Sequence, residues 1–220
     1  MHRQQISRLL YISHKKKIEQ MKILKMIEES INERYVADVV TALRDGCIVV
    51  APTDSLYALV CDATNNQAIE KICKIKMMKS AKTNLSIICS DISMASKYGR
   101  IDNEIFKTIK RNLPGAFTFL ISATSKLPKA FKSRRVVGVR IVEGRIISRL
   151  VQELGNPVFS TSVEGVDEDY LCEPELIAQK YAHNVTYVID SGRSSSIPST
   201  IVDLTADEPL VLRQGASVFE

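Results

Sequence analysis

The sequence has few of the residues from which metal and nucleophilic sites are usually built. It contains no tryptophan and only three histidines, and two of these (His2, His14) lie in the first fourteen residues. Histidine-based metal or triad chemistry is therefore not expected. The five cysteines are never closer than twelve residues apart, which argues against a C-x-x-C zinc site and against a disulfide framework. We therefore expect a cytoplasmic protein without a structural metal.

Several motifs and long segments are also missing. No apolar run approaches the roughly 18 residues needed to cross a bilayer, and the first seventeen residues are too charged for the apolar core of a signal peptide. Neither G-x-x-x-x-G-K-[ST] nor G-x-G-x-x-G occurs, so a P-loop or Rossmann nucleotide site is not supported. Aromatic residues make up only 6% of the chain, and no RNP-type signature indicates base stacking. No membrane partner is predicted.

What the sequence does have is a composition suited to one globular core. Hydrophobic residues make up 45% and charged residues 25% of 220 residues, close to the average for globular domains. A chain of this length can bury a full hydrophobic core without disulfides or bound metals to stabilise it. Residues 1–20 are interpreted as an atypical basic N-terminal extension and residues 21–220 as a single domain. An ordinary basic first helix is the alternative interpretation of the N-terminal residues.

The positive charge is unevenly distributed along the chain. Residues 1–25 carry seven bases and one acid, so residues 26–220 sum to −1 within a total of +5. Eleven of the remaining 23 bases cluster in residues 71–82 and 126–140, whereas acids concentrate in residues 164–175. This segregation permits a basic face that binds phosphate groups. Solvated helix faces and loops account for the same pattern equally well.

The pattern of apolar residues predicts an α/β domain. Apolar residues recur at helical spacing in residues 33–44, which Gly46 terminates, and in a second helix that Asn65 or Thr64 caps. Further helices are expected near residues 103–111, 145–154 and 174–182. The candidate strands are residues 47–51, 85–89, 117–122, 136–141, 157–161, 185–190, 200–204 and 209–213. The last strands lie too close together for helical crossovers, so a twisted, open, mixed sheet of about seven strands is predicted.

Small hydroxyl residues recur where predicted strands begin or end. They form the segments Pro52-Thr53-Asp54-Ser55, Ser160-Thr161-Ser162 and Ser199-Thr200, and Arg140 and Arg213 each end a strand. Each segment alone is typical of a helix cap or a turn. In open α/β sheets, however, ligands bind at strand ends, and hydroxyls there donate hydrogen bonds to oxyanions. Three such segments with two arginines favour one anion-binding cavity.

Seven motifs in order carry a resemblance to a known family. They are GCIVVAPTDSLYALVCDA, LPGAFTFLI, VGVRI, NPVFSTS, VIDSG, PSTIVDLT and VLRQG. Together they resemble the YrdC-like family, which includes L-threonylcarbamoyladenylate synthases, and are most similar to its YciO branch. The resemblance implies a twisted α/β sheet that encloses a large concave basic cavity. It also implies a synthesis from ATP, L-threonine and bicarbonate that serves tRNA modification, with Mg²⁺ accompanying ATP.

The resemblance also implies roles for particular residues. The expected catalytic residues are Lys76 and Arg140. The expected nucleotide-binding residues are Lys76, Ser160, Thr161, Ser162 and Arg213. The expected substrate-binding residues are Thr53, Tyr57, Thr118, Arg140, Ser199 and Thr200, with Asp54 as a weaker candidate for a metal or amine contact. The structural alternatives are a turn threonine, a core tyrosine, an ion pair for Arg140 and a solvated helix face for Lys76.

Two positions depart from the family pattern. The K-x-R motif reads Lys76-Met77-Met78, and the S-x-N motif reads Ser162-Val163-Glu164. Methionine cannot replace the bidentate fork of a guanidinium, and a carboxylate at 164 would repel a triphosphate if it faced the cavity. We therefore expect a divergent member that binds an adenine nucleotide or adenylate, RNA (tRNA or double-stranded), or both, with weak chemistry at most. The alternatives are an active synthase and a non-catalytic partner subunit.

Overall fold

One mixed sheet organises the part of the chain that the structure describes. The computed structural model describes residues 21–77, 86–129 and 134–220. The strands are β1 (Lys22–Lys25), β2 (Val49–Ala51), β3 (Ala58–Asp62), β4 (Ser86–Ile88), β5 (Phe117–Ser122), β6 (Val136–Arg140), β7 (Val158–Ser162), β8 (Tyr187–Asp190), β9 (Thr200–Asp203) and β10 (Leu210–Arg213). The helices are α1 (Glu33–Arg44), α2 (Asn66–Ile75), α3 (Ile92–Tyr98), α4 (Asn103–Asn112), α5 (Arg145–Leu154), α6 (Asp169–Cys172) and α7 (Pro174–Tyr181). The predicted extension (residues 1–20) and Met78 lie outside the described residues.

The strand order confirms the predicted α/β fold with a mixed sheet. It runs β1-β8-β2-β3-β7-β4-β6-β5-β9-β10. The pairs β1–β8, β8–β2, β4–β6 and β5–β9 are parallel, and the other pairs are antiparallel. The described residues form ten strands rather than about seven. Strand β1 was missed because lysines frame its apolar residues, and β3 was missed because it follows directly on the PTDSLY motif.

Local sequence signals fix the helix ends that were predicted. The Asn32 side chain accepts hydrogen bonds from two backbone N–H groups at the start of α1, and the Asn65 side chain accepts one from the Ala68 N–H at the start of α2. Gly46 has a φ of +75°, the left-handed conformation that glycine adopts without strain. At α5 the cap comes from a distant residue, since Glu28 accepts a hydrogen bond from the Ile146 N–H at 3.0 Å. This contact is invisible in the local sequence.

The two faces of the sheet are covered to different extents. Helices α2, α4 and α7 contribute Ile72, Ile109 and Ile177 to a core that extends over one face, including strands β5, β6 and β9. Helices α1 and α5 cover the opposite face with side chains such as Leu43 and Leu150. That second core takes no described residue from β5, β6, β9 or β10. The second core therefore does not extend over these four strands, and the cavity described below lies on this uncovered part of the face.

Residues 214–220 fold back over the start of β9. The Thr200 hydroxyl donates to the Ser217 carbonyl and accepts a hydrogen bond from the Gly215 N–H at 2.9 Å. A methyl group at Gly215 would lie 2.2 Å from the Pro198 carbonyl oxygen. The backbone therefore approaches Pro198 and Ser199 more closely than any other residue type allows.

Replacing Gly215 with alanine should consequently destabilise the protein. We expect Gly215→Ala to lower the free energy of unfolding by about 1–3 kcal/mol, because the contact is with backbone atoms that must move. Urea denaturation would measure the change. Val218→Ala, at a site that is 78% exposed in the same segment, serves as the control and should leave stability unchanged. Equal stability of the Gly215→Ala variant and the parent would contradict this close packing.

Candidate functional site

A polar cavity lies on the open part of the sheet. Its volume is about 160 Å³. Four neighbouring strands present Ser160, Ser86, Gly138 and Leu120 in one row across the sheet. The Ser86 and Ser160 hydroxyls lie 3.1 Å apart. The complete lining is Ser86, Thr118, Leu120, Gly138, Arg140, Ser160, Thr161, Ser162, Ser199, Ile201 and Arg213.

Strands β9 and β10 form a second wall that carries an arginine. The Thr118 and Ser199 hydroxyls are 2.8 Å apart. Arg213 donates from Nε and Nη2 to the Ser199 carbonyl, at 3.1 and 2.7 Å. Burial lowers the pKa of Arg213, and repulsion from Arg140 lowers it further. Two guanidinium groups therefore share this small cavity, and no carboxylate of the described residues forms an ion pair with Arg213.

Arg140, at the end of β6, forms a buried ion pair with Asp54. Its Nη2 lies 2.5 Å from Asp54 Oδ1, 2.9 Å from the Ser55 hydroxyl and 3.4 Å from the Thr53 hydroxyl. The two charged side chains are only 6% and 10% exposed. Burial raises the pKa of Asp54 even though Arg140 opposes the shift. Asp54 Oδ2 and Arg140 Nε have no hydrogen-bond partner among the described groups.

Lys76, directly after α2, is held in a second ion pair. Its Nζ lies 2.6 Å from Glu164 Oε1 and donates to the Ser162 carbonyl at 2.8 Å. The lysine side chain is 8% exposed and the glutamate side chain 59%. Burial lowers the pKa of Lys76, and Glu164 partly opposes this shift. The charge at position 164, which the sequence marks as a departure from the family, therefore neutralises the lysine of the other motif.

Helix α7 fixes the backbone of Glu164. The Glu164 N–H donates to the Tyr181 hydroxyl at 3.0 Å, and Lys180 Nζ donates to the Glu164 carbonyl at 2.6 Å. Two contacts on one residue restrict where its carboxylate can reach. The Lys76–Glu164 pair is thus positioned by the helix packed beside it.

The structure brings together most of the predicted site residues but places two elsewhere. Tyr57 is fully buried in the core of the opposite face, and its hydroxyl donates to the Gly192 carbonyl at 2.8 Å. Thr200 is also fully buried, with its hydroxyl bound within the 214–220 segment. Thr53 lies beside Arg140 and donates to the Leu56 carbonyl at 2.7 Å. Lys76 contacts the cavity wall through Ser162 rather than lining it.

Sequence reasoning missed one lining hydroxyl. Ser86 begins β4 within the apolar LSIIC segment, which the sequence predicts only as a strand. Side chains two residues apart in a strand share a face, so Ser86 lies on the same side of the sheet as Ile88. The only sequence signal for this residue is a lone serine at the start of an apolar strand. It indicates a polar site only when β4 is known to pair with β7, which places Ser160 opposite Ser86.

Comparison with known proteins identifies the family. A family model for Sua5, YciO and YrdC proteins, described as "Telomere recombination", matches residues 41–215. The chain belongs to the Sua5/YciO/YrdC family. The YciO protein of Escherichia coli K12 is 33% identical over 186 residues, which cover 83% of this chain and 90% of YciO. The crystal structure of E. coli YciO superposes with a TM-score of 0.84 at 31% identity, covering 90% of this chain and 97% of that one.

Two further Sua5/YciO/YrdC proteins have more informative names. The threonylcarbamoyl-AMP synthase of Pseudoalteromonas translucida is 27% identical over 177 residues, which cover 78% of this chain and 94% of the synthase. The structure of P. abyssi Sua5 complexed with L-threonine has a TM-score of 0.80 and covers 89% of this chain and 58% of that one. Because its identity is only 23%, it shows the shared fold alone.

The described residues hold neither a membrane-spanning helix nor a cluster of metal-ligating side chains. None of the helices there is both long and apolar enough to span a bilayer. The same residues contain no cluster of three or more His, Cys, Asp or Glu side chains that could hold a metal ion. Mg²⁺ accompanying a bound nucleotide stays a prediction.

Proposed function

We propose that this protein binds an adenine nucleotide or an adenylate, with the phosphate in the cavity, and catalyses threonylcarbamoyl-AMP synthesis weakly if at all. The observation that carries the proposal is the shared lining of two arginines and six hydroxyl side chains, which are Arg140, Arg213, Ser86, Thr118, Ser160, Thr161, Ser162 and Ser199. Guanidinium groups and hydroxyls are the donors that proteins use for phosphate oxygens.

The balance of charge supports a ligand with few negative charges. Arg140 is paired with Asp54 and Lys76 with Glu164, whereas Arg213 has no carboxylate partner among the described residues. A site with about one uncompensated cation suits a monophosphate or a phosphodiester better than a triphosphate. Threonylcarbamoyl-AMP synthesis from ATP requires a site that binds a triphosphate. The charge balance disfavours a triphosphate, and it therefore supports weak synthesis at most.

The Asp54–Arg140 pair supports an amino acid moiety at the other end of the ligand. Arg140 Nε could donate to a carboxylate, and Asp54 Oδ2 could accept from an amine or a hydroxyl. Both atoms are buried, and a buried polar atom without a partner is costly unless a water or a ligand satisfies it. The threonylcarbamoyl-AMP named for the P. translucida synthase keeps a free threonine carboxylate and hydroxyl, which supports a threonylcarbamoyl adenylate as the ligand class.

The cavity favours a small ligand over RNA. Its volume of about 160 Å³ is below the roughly 300–1,000 Å³ of typical small-molecule pockets, so part of a nucleotide would extend over the open rim. Among the described lining residues there is no aromatic side chain on which a base could stack. RNA binding is therefore treated as an alternative outcome of the experiment.

Titration calorimetry with AMP tests the proposal. We expect Arg213→Met to weaken AMP binding by about 10- to 100-fold, because a hydrogen bond to a charged group contributes about 1.5–3 kcal/mol. Arg149→Met is the matched control, since that arginine pairs with Glu33 and Glu153 on the outer surface of α5. It should bind AMP like the parent.

Three results would contradict the proposal. The first is AMP affinity that is unchanged in Arg213→Met, which would place the phosphate elsewhere. The second is rapid pyrophosphate release by the parent protein with ATP, L-threonine and bicarbonate, which would establish the synthase alternative. The third is salt-sensitive RNA binding without AMP binding, which would replace the nucleotide by RNA.

A further inference from the structure

The two edges of the sheet differ in how they are protected from pairing. At one edge, β1 begins and ends with lysine (Lys22, Lys25), a common means of preventing edge-to-edge association. At the other edge, β10 has all four residues exposed. Leu210, Val211 and Leu212 are 60%, 39% and 50% exposed. Within the described residues no strand pairs with the outer side of β10.

A bulge in β10 has a separate explanation and does not protect this edge. The register with β9 shifts between Val211 and Arg213, where Arg213 pairs with Ile201. Arg213 and Ile201 both line the cavity. Bulges beside binding sites commonly redirect one side chain. The irregularity therefore directs Arg213 into the cavity and leaves the apolar residues exposed at the edge.

We infer that β10 is a self-association surface that pairs antiparallel with β10 of a second copy of this chain, about a two-fold axis near Val211. A two-fold interface requires a patch that complements itself. The order of residues along β10 meets this requirement, because Asp207 and Glu208 precede the apolar residues and Arg213 follows them. In the antiparallel arrangement the acidic end of each strand approaches the basic end of the other, and the apolar residues meet at the centre.

The interface is small, so the dimer should be weak. A four-residue strand buries far less than the roughly 1,200–2,000 Å² of a stable protein interface. The dimer should therefore form only at high protein concentration. Because Arg213 ends β10 and lines the cavity, the paired strand of the partner subunit would lie near the rim of the cavity.

Sedimentation velocity over a wide range of protein concentration tests the inference. The parent chain should shift from monomer to dimer as concentration rises. The double variant Leu210→Lys/Leu212→Lys should remain monomeric, because two lysines on each strand would face each other across the axis. Val166→Lys/Ile27→Lys adds the same charge at exposed apolar sites away from the edge and should dimerise like the parent. A monomeric parent at every concentration, or a dimeric lysine variant, would overturn the inference.

Cross-linking locates the axis. Opposed residues of an antiparallel pair have Cα atoms about 4.5–5.5 Å apart, within the roughly 4.4–6.8 Å that a disulfide spans. Val211→Cys should therefore form a disulfide-linked dimer under mild oxidation, in a Cys47→Ser background that removes the native cysteine that is not fully buried. Val218→Cys, which is exposed and outside β10, should cross-link much more slowly. Equal cross-linking of the two variants would exclude pairing through β10.

Discussion

Replacing Arg140 with methionine is expected to lower the free energy of unfolding by about 3–5 kcal/mol, the usual cost of removing one partner from a buried ion pair. The Asp54 side chain is only 10% exposed, so the variant would retain a carboxylate without its counterion. For a domain of this size the loss corresponds to a fall in melting temperature of roughly 6–20 °C. Scanning calorimetry at neutral pH would measure it.

A second variant separates the ion pair from simple loss of packing. Arg140→Met/Asp54→Asn removes both charges and should recover more than half of the lost stability, because no buried charge remains unpaired. If the single and double variants were equally unstable, the stabilisation would come from the arginine stem rather than from its charge.

The pH dependence of the same variant has a definite sign. Burial already raises the pKa of Asp54 above its ordinary value, and removal of Arg140 raises it further. The folded state then binds more protons than the unfolded state between the ordinary and the raised pKa. Stability therefore falls as pH rises through that interval. The decline should be steeper in Arg140→Met than in the parent and absent when Asp54 is also replaced by asparagine.

Replacing Glu164 with asparagine is expected to strengthen ATP binding by about 10- to 100-fold. The carboxylate lies 2.6 Å from Lys76 Nζ, so it neutralises the lysine and would repel a triphosphate that reached it. Like charges placed together cost several kcal/mol, and their removal frees Lys76 for a phosphate. AMP affinity should change much less, since the proposed phosphate contact of AMP is Arg213. Calorimetric titrations with the two nucleotides would measure both changes.

Two control variants test this explanation. Glu168→Gln removes an acid from the same acidic segment, outside the Lys76 ion pair, and should leave ATP affinity unchanged. Adding Lys76→Met to Glu164→Asn should abolish the gain, because the freed cation is then missing. The rate of pyrophosphate release by Glu164→Asn/Met78→Arg with ATP, L-threonine and bicarbonate would show how far the residues at these two positions limit synthesis. Unchanged ATP affinity in Glu164→Asn would mean that the triphosphate does not reach Lys76.

The sequence predicts the fold well because its signals are local. Apolar runs mark most strands, and Asn65 and Gly46 mark helix ends that the structure confirms. The ordered motifs add the family, which the comparisons confirm. Strand β3 was missed because it continues directly from a motif whose hydroxyl residues were interpreted as a site.

The partners in the ion pairs could not be predicted in the same way, although an ion pair for Arg140 is one of the alternatives that the sequence leaves open. Asp54 and Arg140 are 86 residues apart, as are Lys76 and Ser162, whose carbonyl receives the lysine. Tertiary packing alone brings such groups together. The role of a hydroxyl is equally hidden, since Thr200 and Ser199 are neighbours in sequence but alternate between the two faces of β9. Ser199 lines the cavity, whereas the Thr200 hydroxyl holds residues 215 and 217.

The pairing of β5 with β9 has a consequence for how the protein is made. Residues 117–120 pair with residues 200–203, and β10 follows with Arg213. During translation β5 therefore emerges long before the strand that completes its side of the sheet. Pairings between distant segments form late, because the loop between them must close first. A nascent chain that ends before residue 199 has Arg140 and most of the hydroxyls but neither Ser199 nor Arg213, so the lining of the cavity is complete only after residue 213 has been synthesised.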